Sequence, residues 1–228
     1  MKENNWFDPF YIQDHLSNEE KEIQINVREF CNKELRPDVV KNNREHTFKQ
    51  NLYLKLGAMG ILGQTVKTHG GSGTSNLAYG LVTYELEKID SSYRSSISVQ
   101  SSLAIHPINK FGSEEQKDRF LPDLIKGKKI GCFGLTESEA GSDPSSMKTS
   151  YKKVNGGYIL NGTKNWITNA PIADVFIIWA IEENNNHKSI KGFILEKNFD
   201  GLNISNIENK TSLKISPTGQ IILNNVFV

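Results

Sequence analysis

The sequence predicts an α+β protein, with an all-α helical domain over residues 1–127 followed by an antiparallel β-domain over residues 128–228. Three observations predict it. Up to about Lys126, apolar residues recur at spacings of three and four, the period of a helix face. After Gly127 the texture changes to short runs rich in β-branched and aromatic residues. Turn signals built from Asn, Asp and Gly separate those runs, as in a sandwich or barrel.

The first helix opens at Ser17-Asn18-Glu19-Glu20, a capping box in which the Ser hydroxyl and Glu carboxylate satisfy free N–H groups. Ile23, Val27 and Phe30 form its apolar stripe, and Pro37 marks its end or lies just past it. Leu52, Leu56 and Met59 give a second stripe, stopped by Gly60 and Gly63. His69-Gly70-Gly71-Ser72-Gly73 is a loop by composition. A long helical stretch runs from Leu77 to about Phe111, broken or capped near Pro107, and Ser113-Glu114-Glu115-Gln116 caps a helix carrying Phe120 and Leu124. These make roughly four or five helices, enough for a small bundle.

In the second half the strand-like runs are Tyr158–Leu160, Val175–Ala180, Gly192–Leu195 and Ile221–Leu223. Turns are expected at Asn155-Gly156-Gly157, Asn184-Asn185-Asn186 and Asp200-Gly201, and Asn161-Gly162 is the strongest hairpin signal. Lys126-Gly127-Lys128-Lys129 reads as a solvated turn between the halves. The chain stops at Asn225-Val226-Phe227-Val228, an apolar run with no closing turn or polar tail, which suggests truncation.

Composition narrows the function. The 27 basic and 26 acidic residues among 228 give a net charge of +1, against a nucleic-acid binder that needs a strong positive field. No apolar run approaches the ~20 residues that cross a bilayer. Cys31 and Cys132 stand far apart with no C-x-x-C, and the five His show no ligand spacing, so no disulfide framework or metal site is expected. Met1–Asn5 looks like neither a secretory signal nor a transit peptide, and a bacterial cytoplasm or mitochondrial matrix fits.

Two segments carry chemistry. Cys132-Phe133-Gly134-Leu135-Thr136-Glu137-Ser138-Glu139-Ala140-Gly141-Ser142-Asp143 leaves a strand into a loop of hydroxyls and unencumbered N–H groups that could hold ring edges or phosphates. Taken alone it also reads as an ordinary β-domain loop. The second segment is Asn161-Gly162-Thr163-Lys164-Asn165-Trp166-Ile167-Thr168-Asn169-Ala170. Together they closely resemble the flavin-binding signatures of the acyl-CoA dehydrogenase family, G-x-T-E-x-x-x-G-S-D and G-x-K-x-W-I-T-N. The likeness extends to Gly112–Lys117 and Phe120-Leu121-Pro122 and covers essentially the whole chain. Within the family, Asp90-Ser91-Ser92-Tyr93-Arg94-Ser95 is most similar to glutaryl-CoA dehydrogenases, with Ser92 departing from an expected Gly.

Arg94 stands among small hydroxyl residues with apolar Leu86, Ile89, Ile97 and Val99 nearby. Its planar fork suits a carboxylate held by two hydrogen bonds. Glu87, seven residues earlier and two helical turns away, lies on nearly the same face. From the residues alone, an internal Glu87–Arg94 ion pair or a solvated face is the commoner explanation.

The resemblance implies FAD as cofactor, with Cys132, Phe133, Leu135, Thr136 and Gly141 on one side and Trp166, Ile167 and Thr168 on the other. It implies Glu87, Arg94, Ser95 and Ser142 at the substrate, with Arg94 meeting a terminal carboxylate. The implied reaction is α,β-dehydrogenation of an acyl-CoA, most specifically oxidative decarboxylation of glutaryl-CoA to crotonyl-CoA. Electrons would pass to an electron-transferring flavoprotein, and the full-length family assembles as tetramers. The family's catalytic base is a Glu of a C-terminal helical domain that this sequence lacks, so no residue here is assigned that role and the chain alone is expected to turn over poorly or not at all. Two other readings stand beside this one: a dehydrogenase of short or branched acyl-CoA, and a non-catalytic FAD- or acyl-CoA-binding remnant.

Overall fold

A computed structural model describes residues 8–183 and 189–228. The turn expected at Asn184-Asn185-Asn186 lies outside the described residues. Eight α-helices occur among those described: α1 (Ile12–His15), α2 (Asn18–Phe30), α3 (Val39–Glu45), α4 (Asn51–Ala58), α5 (Asn76–Glu87), α6 (Ser91–Ser98), α7 (His106–Phe111) and α8 (Glu114–Ile125). Both capping boxes form: Ser17 with Glu20 opens α2, and Ser113 with Gln116 opens α8. The stripes on α2, α4 and α8 face one core, with Val27, Leu52, Leu56, Phe120 and Leu124 buried in it. Glu85 of α5 is only 2% exposed there, held by Arg28 at 2.8 Å and Gln24 at 3.0 Å.

Two boundaries differ from expectation. Pro37 does not end the first helical run. A π segment (Cys31–Leu35) and a 3-10 turn (Arg36–Asp38) carry the chain into α3, and Pro37 falls in the first turn, where its missing N–H costs no hydrogen bond. The stretch from Leu77 to Phe111 breaks after Glu87, because Asp90 adopts an extended backbone and its carboxylate caps α6 by accepting from the Ser92 N–H at 2.8 Å. A second π segment (Val99–Ile105) then leads into α7, whose first turn contains Pro107.

The strands are β1 (Gly131–Gly134), β2 (Ser150–Val154), β3 (Gly157–Thr168), β4 (Val175–Glu182), β5 (Ile190–Glu196), β6 (Leu202–Asn206) and β7 (Thr218–Phe227). They form one sheet in the order β1-β4-β2-β3-β7-β6, with β5 on β4. The sheet is mixed rather than antiparallel throughout, since β1 and β2 both pair parallel with β4. Long connections precede each of those pairings, and only hairpins force antiparallel neighbours.

Asn161-Gly162 is not a hairpin. Asn155 and Gly156 (φ 84°) turn the chain, Val154 pairs with Gly157, and β3 then runs unbroken past Gly162. Gly162 instead marks a register shift against β7. Its φ of 144° and a Cβ position only 2.5 Å from Thr149 Oγ1 both require glycine.

β4 explains how the halves join. Val175 and Ile177 face the helical core, while Phe176, Ile178 and Ala180 face a second core with Cys132, Tyr151, Leu160 and Ile167. The period of two thus leaves no polar side in this run. Two buried amides fasten the seam. Gln100 donates to the carbonyls of Leu124 (2.9 Å) and Lys129 (3.0 Å) and accepts from the Gly131 N–H (2.7 Å). Asn169 donates to the carbonyls of Ser96 and Gly131, each at 3.1 Å. No described helix is long and apolar enough to cross a membrane.

Candidate functional site

Beyond β1 the chain bends sharply, with Glu137 and Ala140 exchanging backbone hydrogen bonds at 3.2 Å. The end of β3 lies against this bend. The Asn165 N–H donates to the Thr136 carbonyl at 2.9 Å, and Asn165 Nδ2 donates to Ser138 Oγ at 3.2 Å. Lys164 Nζ donates to Glu137 Oε1 at 2.8 Å and to the Leu135 carbonyl at 3.1 Å. The two segments singled out in the sequence therefore form one ledge.

Trp166 projects from that ledge. The pairing of β3 with β7 slips between Lys164 and Ile167, and Trp166 takes a left-handed backbone with φ 60°. The residue is 58% exposed. A bulky residue held there costs on the order of 1–3 kcal/mol, and an indole left in water returns none of it. The conformation makes sense for an indole presented to a flat ligand.

Thr136 and Thr168 are half-buried, and neither hydroxyl is hydrogen-bonded to a described residue. Leu135 is also half-buried. Gly141 and Ser142 are exposed, and a Cβ on Gly141 would meet nothing within 4 Å. Cys132 and Ile167 point into the second core, so only their main-chain atoms can face a ligand, and burial pushes the Cys132 thiol well up. The Phe133 ring packs on the helical core, edge-on to Trp179 at 6.0 Å, and likewise leaves its main chain to the site. An exposed indole, two uncommitted hydroxyls and an open glycine-containing loop fit a planar heteroaromatic group with polar edges and a phosphate-bearing tail, as FAD has.

The residues assigned to substrate lie on α6 and the end of α5. Arg94 Nε donates to Glu87 Oε2 at 2.8 Å, and Ser91 Oγ donates to the same carboxylate. Arg94 first, then Ser91, hold the Glu87 carboxyl below the usual range. The two were expected on one face of one helix; they meet instead across the bend that Asp90 makes. Their side chains are 38% and 44% exposed, and the terminal guanidinium nitrogens of Arg94 have no partner among the described residues. Ser95 is half-buried beside it. Asn169 ties α6 to the ledge through the Ser96 carbonyl.

Sequence reasoning missed three residues that build this arrangement: Glu137, Lys164 and Asn169. Lys164 is fully buried, and besides Lys164 the Glu137 carboxylate accepts from the N–H groups of Lys148 (2.7 Å) and Thr149 (2.9 Å). Burial raises the Glu137 carboxyl, but these hydrogen bonds outweigh it and leave it below the usual range. Burial pulls the Lys164 ammonium down against the opposing pull of Glu137. A signal was present: Lys164 shares the inward parity of Leu160 on β3. No cluster of potential metal ligands occurs among the described residues.

Residues 17–128 match the acyl-CoA dehydrogenase N-terminal domain, and residues 132–226 match the middle domain of the same family. The chain is similar to an acyl-CoA dehydrogenase of Bacillus subtilis, 35% identical over 94% of this chain and 57% of that protein. Among solved structures, a glutaryl-CoA dehydrogenase from Mycobacterium smegmatis in complex with FADH2 superposes with a TM-score of 0.92 at 39% identity, over 96% of this chain and 56% of that one. Butyryl-CoA dehydrogenase from Megasphaera elsdenii gives 0.87 at 34% identity, over 93% and 57%. The chain spans about half the length of the curated relatives it matches.

Proposed function

Since the chain belongs to the acyl-CoA dehydrogenase family, we propose that it forms the FAD- and acyl-binding part of an enzyme that dehydrogenates glutaryl-CoA. One observation carries the choice of substrate. Arg94 sits on the ledge-bound helix, half-exposed, with its terminal nitrogens unclaimed by the described residues. That fork suits a carboxylate at the far end of an acyl chain, and a plain acyl chain has no use for it.

In this reading Trp166 covers the isoalloxazine ring, while Thr136 and Thr168 donate to its polar edge. The main chain at Cys132, Phe133, Leu135 and Ile167 lines the same ring, and the loop at Gly141 meets the phosphates. Ser142 adjoins the pantetheine. The chemistry the flavin supplies when bound is acceptance of the β-hydrogen as hydride. Arg94 and Ser95 orient the substrate from its distal carboxylate, with Glu87 holding Arg94 in place. Glu87 and Glu137 are committed to Arg94 and Lys164, so neither is assigned as the base that takes the α-proton. Loss of carbon dioxide to give crotonyl-CoA, electron delivery to an electron-transferring flavoprotein, and assembly as a homo-oligomer complete the proposal.

The test is calorimetric binding of glutaryl-CoA and butyryl-CoA to the FAD-loaded chain and its Arg94→Gln variant. Hydrogen bonds to a charged group contribute about 1.5–3 kcal/mol, so glutaryl-CoA should bind roughly 10–100-fold more weakly to the variant. Butyryl-CoA should bind as before. Equal losses for both ligands would refute the carboxylate assignment. The Glu87–Arg94 ion pair supports a second reading, a short- or branched-chain enzyme in which Arg94 is purely internal. That reading predicts the equal outcome.

A further inference from the structure

We infer that Lys164 and Glu137 act as a positioning clamp on Thr136, fixing the peptides on either side of it so that its hydroxyl meets the flavin edge opposite Trp166. The inference rests on the reading that the two segments hold FAD. Lys164 Nζ bonds the residue before Thr136 through the Leu135 carbonyl and the residue after it through the Glu137 carboxylate. Asn165, next to Lys164, takes the carbonyl of Thr136 itself. The carbonyls of Leu135 and Thr136 and the Glu137 carboxylate are thus engaged, while the Thr136 hydroxyl is left without a described partner.

The clamp also closes the loop at its other end. Glu137 accepts from the N–H groups of Lys148 and Thr149, so residues 135, 137, 148 and 149 converge on one ion pair just before β2 begins. The close approach of Gly162 to Thr149 wedges that return against β3. Taking two charges out of water has a desolvation cost that their attraction repays only in part, and an apolar pair of similar volume often serves stability as well. What an apolar pair cannot do is hold the Leu135 carbonyl and two backbone N–H groups at fixed positions. The contribution of this pair is therefore to geometry at Thr136. Trp166 follows two residues beyond Lys164, and its N–H donates to Asn165 Oδ1 at 3.0 Å.

FAD titrations of the purified parent chain, Lys164→Met, Lys164→Arg and the double variant Glu137→Leu/Lys164→Met test this. The readouts are affinity, residual fluorescence of bound flavin, and circular dichroism of the protein. The double variant strands no charge and should keep the parent's far-ultraviolet spectrum. It should nevertheless bind FAD about ten-fold more weakly and leave the bound flavin brighter, because the ring loses its fixed contact with Trp166 and Thr136. Lys164→Arg should recover part of both losses, and Lys164→Met should lose at least as much as the double variant. A folded double variant with parental affinity and quenching would overturn the clamp. So would unfolding of both methionine variants, which would make the pair a component of the core rather than of one loop. Failure of the parent itself to bind FAD would instead count against the proposed function.

Discussion

Replacing Gln100 by Leu tests whether buried amides, rather than apolar contact alone, fasten the helices to the sheet. Gln100 is fully buried and makes three hydrogen bonds with main-chain groups of Leu124, Lys129 and Gly131. Leucine nearly preserves volume, so the cavity contribution is small. The Leu124 carbonyl keeps a second donor, the Gly127 N–H at 3.2 Å, but the Lys129 carbonyl and the Gly131 N–H lose the bonds that Gln100 supplies. An unsatisfied buried group costs about 1–3 kcal/mol, so two of them with one weakened bond predict a loss of about 3–5 kcal/mol. For a chain of this size that lowers Tm by roughly 10 °C. Urea unfolding followed by circular dichroism and tryptophan fluorescence measures it, with the m-value unchanged if the two probes agree. Asn32→Ala, which removes only an exposed bond to Arg36, should stay within about 0.5 kcal/mol of the parent. A Gln100→Leu loss under about 1 kcal/mol would refute the reasoning.

Two further predictions concern stability. Gly127 has φ 67°, and a Cβ there would lie 2.1 Å from the Tyr53 carbonyl oxygen, so Gly127→Ala should cost about 2–3 kcal/mol in urea unfolding, whereas Gly141→Ala, in open space, should cost less than about 0.5 kcal/mol. The carboxyls of Glu85 and Glu137 are held below the usual range in the folded state, with bonds from Arg28 and Lys164 respectively outweighing burial. A depressed folded pKa contributes stability that is full above the unfolded carboxylate range and is lost as pH falls through the folded value. Urea midpoints should therefore be flat towards neutrality and fall on acidification, and Glu85→Gln should make that fall shallower.

The helical half was legible where its signals were local. Ser17 and Ser113 sit three residues before Glu20 and Gln116, and those spacings alone specify two helix starts. Asp90 carries the same chemistry two residues from its partner, but the recurrence of apolar residues from Leu86 and Ile89 on to Ile97 hid it inside a seemingly continuous helix. Asn161-Gly162 misled for the opposite reason. Its composition is that of a turn, yet the glycine is required by the proximity of Thr149, a long-range fact that no window of sequence contains. Strand direction was equally invisible, because it depends on which strand β4 meets after long connections. At the site, the motif residues identified the ledge. The ion pair that shapes it stayed hidden because its two members lie in different segments, with sequence positions 137 and 164.

Asn169 gives the ledge and α6 a common hinge pin, since its one amide group reaches both the Ser96 and Gly131 carbonyls. A displacement of Thr168 has a direct route through that amide to the helix on which Arg94 rides. If ligands occupy the ring site and the guanidinium as proposed, that amide offers a link between the two occupancies. Each ligand should tighten the other by the same factor, and that reciprocity should weaken when residue 169 is cut back to alanine.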